Sequence, residues 1–506
     1  MKRIFSSSVR QITLLLMVIA VVVVSSCSKG EYPKNLTSIP KESSLVASID
    51  IEQLAKKADM KALKKSATFT SFSQEAFANQ PALKAIVDDP GKSGVAFKQV
   101  FVFLMNGKNL GVTFALKSSS DFESTIQDVA KQENLNITIQ SGSGYKYITL
   151  PQNDSATLVW DKDKALFAAN TPKEAAIKLF NTPKEASIVT NKDFADFYKH
   201  KTEVAMWTNN ETLYGSIGEL LKNPMLLLQK ELVKGTYSHY NLEFKEGEVA
   251  ITTEVTPRAI AQKMNTQFLK ATPNNELLKY FPEKSFMLGK ASINITEIAN
   301  LLAKDKEYSA LLTPENLKIL NSLDGDLLFS LFNFADGGLP MPQVAIAATV
   351  KDKTLYDFVV NKLLDGATKK DCGGYTAVTL QVYTFYVAQK DNILYIANSE
   401  EVVKSFAAGK PLSDNLTRSS LKGTTDSSSF FYLNLDVDSY PSSFTSLLDT
   451  FNPGAGAKFR SAMFFKDLQC TYDPSTVTGS CVLRLKETKD NSLAVILKKV
   501  DEMAGK

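Results

Sequence analysis

The clearest chemistry in this chain belongs to Cys27, which follows Val24-Ser25-Ser26 at the end of an apolar run. A thiol in that setting is an acyl acceptor. Small residues at Ser25 and Ser26 let a signal peptidase reach the bond before Cys27, and the sulfur carries a diacylglycerol. Lys2, Arg3 and Arg10 supply a basic n-region. Ile12 to Val24 supply an h-region of 13 residues, short for crossing a ~30 Å hydrocarbon core as a helix. The reading is a lipoprotein signal peptide over residues 1–26, lipidation at Cys27, and a polar tether over 27–36 that contains Gly30 and Pro33. Ser28 stands where an aspartate would favour retention in the inner membrane, so an outer-membrane address is expected. Ser28-Lys29-Gly30-Glu31 lacks an acidic cluster, which favours the periplasmic side over the cell surface.

Three other cysteines remain: Cys372, Cys470 and Cys481. Cys470 and Cys481 lie on two β-like runs joined by Asp473-Pro474-Ser475-Thr476. A turn centred on Ser475 and Thr476 sets them opposite each other, where an oxidising compartment permits a disulfide. The alternative is three buried free thiols, since free cysteine behaves as a small hydrophobe. The chain has only two histidines. His200 closes a helix-like segment, where a partial positive charge suits the helix dipole, and His239 sits in a strand-like run between tyrosines. Neither has a cysteine nearby in sequence, so no zinc pattern forms, and no metal or cofactor is expected. Pro90-Gly91-Lys92-Ser93 resembles the end of a phosphate loop, but Ile86 replaces its first glycine. Ser141-Gly142-Ser143-Gly144 lacks nucleophile-elbow spacing, and Gly454-Ala455-Gly456-Ala457 lacks a third glycine. Asp161 with Asp163, Asp324 with Asp326, and Asp436 with Asp438 are the carboxylate pairs an acid–base enzyme would draw on. Each reads first as a solvated turn. No catalytic residue is assigned.

Composition narrows the partners. Residues 1–26 hold three of the 58 basic residues and no acid, leaving 55 bases against 54 acids. That balance gives no electrostatic footprint for nucleic acid. No later stretch reaches the ~18 apolar residues of a transmembrane helix, so the membrane is expected as a partner only through the N-terminal lipid.

The elements that position these residues come in two runs. Ile39-Pro40-Lys41-Glu42-Ser43 and the strand at Leu45–Ile51 return as Phe281-Pro282-Glu283-Lys284-Ser285 and the strand at Leu288–Ile295. Gly144–Leu150 returns as Gly374–Leu380, and Lys162–Asn170 as Lys390–Asn398, in the same order. The expectation is an α+β chain of two tandem homologous units, 37–275 and 279–506, each an antiparallel sheet with helices. Ile49 is then expected on Ile293, Leu150 on Leu380 and Asn170 on Asn398. Within a unit, Leu54–Lys65 reads as a helix, two short helices fall around 71–89, and hairpin signals and helix starts alternate thereafter. Four strand-to-helix junctions begin at Asp50, Asn209, Asn294 and Asn434-Leu435-Asp436, read as helix caps.

The lipobox, the Ile-Pro-Lys-Glu-Ser-Ser opening and the internal restart resemble an uncharacterised lipoprotein family of Bacteroidota, catalogued as a domain of unknown function. The resemblance spans nearly all of the chain after Cys27. It implies an envelope location and a tandem α+β fold, and it supplies no catalytic or binding residues. The leading functional expectation is a lipid-anchored, non-enzymatic binding or scaffold module. The alternatives are a carboxylate-dependent hydrolase, or a surface adhesin or subunit of an outer-membrane complex.

Overall fold

The computed structural model describes residues 32–66, 89–150 apart from 106, 108 and 133, 156–221, 233–270, 274–303, 312–335, 341–363, 366–421, 427–441 and 463–504, with a few isolated positions between. Cys27 and the segment around 71–88 lie outside the described residues. The fold is mixed, with helices set against a large antiparallel sheet. Two compact units divide the chain: Met1–Ile251 with Thr488–Lys506, and Thr252–Glu487.

In the first unit the strands are β1 Leu45–Ile49, β2 Val95–Met105, β3 Asn109–Leu116, β4 Gln140–Ser141, β5 Lys146–Thr149, β6 Ala156–Trp160, β7 Lys164–Ala169, β8 Val204–Asn209 and β9 Tyr237–Lys245. They pair in the order β4-β5-β6-β7-β3-β2-β1-β8-β9, antiparallel throughout. The chain passes between units inside β10, Glu248–Thr256. The second unit holds β11 Met287–Ser292, β12 Leu323–Ala335, β13 Met341–Val350, β14 Thr368–Asp371, β15 Thr376–Leu380, β16 Tyr383–Lys390, β17 Ile393–Ala397, β18 Ser429–Asn434, β19 Phe465–Asp473 and β20 Thr478–Leu485. Their order is β14-β15-β16-β17-β13-β12-β11-β18-β19-β20, again antiparallel.

Helices cover these strands: α1 Ile51–Lys57, α2 Ser119–Gln132, α3 Lys173–Phe180, α4 Lys192–His200 and α5 Asn210–Leu221, then α6 Arg258–Phe268, α7 Ile295–Leu302, α8 Pro314–Ser322, α9 Thr354–Phe358 and α10 Glu400–Ala407, and finally α11 Ser492–Ala504. The helix expected over Leu54–Lys65 breaks at Asp59, whose φ of 46° ends one turn and whose carboxylate starts the next. Of the four junctions, Asp50 accepts the Gln53 amide, Asn209 the Thr212 amide and Asp436 the Asp438 amide. Asn294 makes no side-chain cap.

Each unit has a two-sided core. In the first, one face buries Leu36, Ile39, Phe101, Phe103, Leu166 and Trp207, the other Val112, Phe114, Phe122 and Trp160. In the second, one face buries Leu278, Phe281, Leu328, Tyr395 and Phe406, the other Val350, Val360, Val378 and Val387. Strands buried on both faces explain why the apolar runs at Phe101–Leu104 and Leu327–Phe329 are continuous rather than alternating.

Two expectations need correction. The compact units do not end where the sequence repeats do. Helix α6 packs on α7 of the second unit, and α11 packs on α1 and β9 of the first. The residue matches also slip. The Ser44 amide bonds Leu104 O and the Phe286 amide bonds Leu331 O, so by register Ile49 corresponds to Ala291, two residues short of Ile293. Asp161 pairs with Lys164 around Lys162 and Asp163, whereas Lys390 pairs with Ile393 around Asp391 and Asn392. Asn170 therefore sits one residue out from Asn398. By the same reckoning Leu150 falls on Val378, not Leu380. A one-residue shift moves every side chain to the other face, so the register outweighs letter identity.

Cys470 and Cys481 lie directly opposite each other on β19 and β20 and are bonded, and Cys372 is free. Non-reducing peptide mapping is expected to return the Cys470 and Cys481 peptides joined. A link across a separation of 11 residues contributes about 2–3 kcal/mol in the chain-entropy account, so reduction should lower the melting temperature. Linkage through Cys372 would contradict the pairing.

Candidate functional site

The first unit carries a cavity of about 310 Å³ where α2 crosses the ends of β4, β5 and β6. Its construction begins at Phe122, which packs edge-on against Phe114 and Trp160, with ring centroids 5.6 and 6.0 Å away. Those rings seat α2 on the sheet and bring the next residue, Glu123, to the cavity rim. There its Oε2 lies 2.6 Å from Lys146 Nζ on β5. Trp160, opposite Lys146 on β6, forms the buried floor.

The opposite wall is the turn Ser141-Gly142-Ser143-Gly144. The Gly142 amide donates to Tyr145 O at 2.8 Å, and Gly144 has φ 83°. A Cβ on Gly142 would collide with the Tyr145 ring, so glycine is what lets Tyr145 line the cavity. The last wall is the β6–β7 turn. Asp161 Oδ1 accepts the amides of Asp163 and Lys164 at 2.7 and 2.9 Å, which leaves Lys162 at the rim. The cavity thus presents two acids, two lysines and two aromatic rings. Glu123 is already neutralised by Lys146, and one Asp161 oxygen is committed to backbone amides. This is an arrangement for holding charged groups rather than for moving protons.

Other residues singled out by the sequence are absorbed elsewhere. His239 Nε2 lies 2.8 Å from Asp193 Oδ1, and Trp207 Nε1 donates to the same oxygen at 2.7 Å. This buried trio pins the start of α4 to β8 and β9. His200 is exposed at the end of α4, its Nδ1 3.0 Å from Asp196 O. Asp436 and Asp438 both pair with Lys486 at 2.7 Å, and Lys486 holds the exposed Asp438 carboxyl below the usual range. Asp163 pairs with Lys34 at 2.9 Å. Lys164 is buried with its ammonium on Thr37, Ser38 and the Phe180 carbonyl. Burial holds it below the usual lysine range against the attraction of Asp161 and Asp163.

Asp324-Gly325-Asp326 is not a turn before a strand but a bulge inside β12, where the register shifts between Leu323 and Leu327. Gly325 has φ 107°, and a Cβ there would strike the Ile293 carbonyl. The bulge buries Asp326 beside Lys270, Ser292 and Thr349. Among the described residues, no group of three or more His, Cys, Asp or Glu side chains is placed to hold a metal ion.

A family model described as a domain of unknown function, DUF4836, matches residues 35–493. The chain belongs to this family. No curated protein matches it. Among solved structures, the one titled "Structure of crystal form III of TP0453" is similar over 47% of this chain and 87% of its own, at 11% identity and a TM-score of 0.28. That likeness is too distant to carry fold or function across. The family description assigns no residues, so the cavity stands on its own geometry. Glu123 and Lys146, which build it, were not singled out from the sequence. The signal for them was the helical phase that turns Phe122 inward and leaves Glu123 at the helix flank.

Proposed function

We propose that this protein is a lipid-anchored, non-enzymatic binding module of the cell envelope, held by Cys27 at the periplasmic side of the outer membrane. Its cavity in the first unit takes a small solute bearing both positive and negative charge. The observation that carries the binding reading is the convergence of Glu123, Asp161, Lys146 and Lys162 over the Trp160 and Tyr145 rings. A zwitterion can meet one charge of each sign there, and the volume lies at the lower end of small-molecule sites. We also infer that 37–275 and 279–506 arose by duplication, an idea supported by the identical strand order of the two units.

Tryptophan fluorescence tests the binding reading. The chain has two tryptophans, and Trp207 is fully buried and does not line the cavity, so a change on ligand entry reports Trp160. Titration with the dipeptide Ala-Ala is expected to give a saturable change with a dissociation constant below about 1 mM, or roughly −4 kcal/mol. Glucose, which is uncharged, should give none. Glu123→Ala and Lys146→Ala should each weaken the response about tenfold, equivalent to about 1.4 kcal/mol. An unsaturable response, or equal affinity in both variants, would remove the cavity from the proposal.

A further inference from the structure

The second unit exposes an apolar hairpin tip that projects beyond the strand face covered by its core. Val382, at the tip of the β15–β16 hairpin, is 84% exposed, with Tyr383 at 47% and Leu380 at 38%. Tyr383 pairs with Leu380, Phe385 with Val378, and Val387 with Thr376, and facing residues of an antiparallel pair share a side. Val387 also pairs with Ile396, and Ile396 with Ile346, which is 48% exposed. Register therefore places Ile346, Phe385, Tyr383 and Leu380 on one side of β13, β17, β16 and β15, running out to Val382. Val387 and Val378 on that side are buried, so the exposed group is the tip itself, and Leu380, Val382 and Tyr383 together there depart from an ordinary solvated face.

The flanking charges narrow the occupant. Edge strand β14 is exposed along its length; it sets Lys369 opposite Val378, on the side of the apolar strip, and Lys370 opposite Ala377, on the other side, both behind the hairpin tip. The acid in that strand, Asp371, lies at the end away from the hairpin tip and accepts the Gly373 amide at 2.9 Å. An apolar tip with a tyrosine at its shoulder and lysines behind it is the order of groups met on entering a bilayer: acyl boundary, interface, phosphate.

We propose that this hairpin tip docks on a phospholipid surface carrying anionic headgroups, with Val382 and Leu380 entering the acyl boundary and Lys369 and Lys370 meeting the phosphates. The choice of a bilayer over a protein partner rests on the lipid-anchor reading above.

The test uses the chain from Ser28 with a hexahistidine tag in place of Cys27, tethered to nickel-chelating vesicles of phosphatidylcholine with 30% phosphatidylglycerol. The tag substitutes for acylation, so the result is independent of Cys27 chemistry, which mass spectrometry of the native N-terminal peptide reads separately. In a Cys372→Ser background, an environment-sensitive fluorophore on Val382→Cys is expected to rise at least twofold in intensity and shift to the blue. The same fluorophore on Lys489→Cys, an exposed site of the first unit, should not change. Leu380→Glu should reduce the response at least threefold, and Lys369→Glu with Lys370→Glu should reduce it only on vesicles with phosphatidylglycerol. A fluorophore at 382 that stays as in water on both vesicle types overturns the proposal. So does a blue shift that tracks protein concentration without vesicles, which would assign the strip to a second copy of the chain.

Discussion

Cys27→Ala is expected to move the protein wholly from the membrane fraction to the soluble fraction or to leave it as an unprocessed precursor. The argument is one of anchor strength. Each buried CH₂ contributes about 0.8 kcal/mol, so several acyl chains on one cysteine hold a protein far beyond the marginal grip of a single chain. No helix among the described residues is long and apolar enough to cross a membrane and take over that role. The hairpin strip at Val382 is a weak contact by comparison, since it offers a few side chains and no acyl tail. Fractionation with mass spectrometry of the N-terminal peptide checks this. Normally processed, acylated protein from the Cys27→Ala gene would refute it, and so would a wild-type N-terminus bearing an unmodified thiol.

The element pattern was legible because local physics sets it. The strand opening at Leu45 and the helix start at Asp50 stand where the local pattern puts them. Register was not legible in the same way. Lys162–Asn170 and Lys390–Asn398 match letter for letter at several positions, yet one hairpin turns on Lys162 and Asp163 and the other on Asp391 and Asn392. Which residues occupy the turn depends on what each strand face must bury, a tertiary demand invisible in a nine-residue match. The cavity was hidden for a similar reason. Glu123 and Lys146 are 23 residues apart and meet only because Phe122 locks α2 over Trp160. His239 was visible, but its partner Asp193, 46 residues away, was not. The Asp-Gly-Asp signal was ambiguous in itself: a glycine at positive φ serves a turn or a bulge equally well, and only the pairing of β12 with β13 separates them.

That bulge carries a large stability effect for a single polar side chain of the second unit. Asp326→Ala should cost about 2–4 kcal/mol, since it leaves buried donors without their acceptor at about 1–3 kcal/mol each while Lys270 keeps a second carboxylate. Asp326 is 3% exposed. Its Oδ1 accepts Ser292 Oγ at 2.6 Å and the Asn274 amide at 3.1 Å, and its Oδ2 faces Lys270 Nζ and Thr349 Oγ1, each at 3.4 Å. Truncation deprives all four donors of this acceptor in a site too tight for easy rehydration. Lys270 keeps Asp324 at 3.1 Å, which limits the charge penalty, so the loss falls mainly on the hydroxyls and the amide.

The site also fastens the segment that follows α6. The Lys270 amide bonds Ser292 O, the Asn294 amide bonds Phe268 O, and Leu269 bridges to Ile293. Asp326→Ala should therefore raise hydrogen exchange first at 268–270 and along β11, before global unfolding. Asp326→Asn, which keeps the volume and one acceptor, should lose roughly half as much, within the 1–3 kcal/mol typical of an unsatisfied buried group. Asp438→Ala, at the exposed Lys486 pair, should leave the denaturation midpoint unchanged. If Asp326→Ala melts within a degree of wild type, burial has been misjudged as bonding, and the segment after α6 is held by its backbone bonds alone.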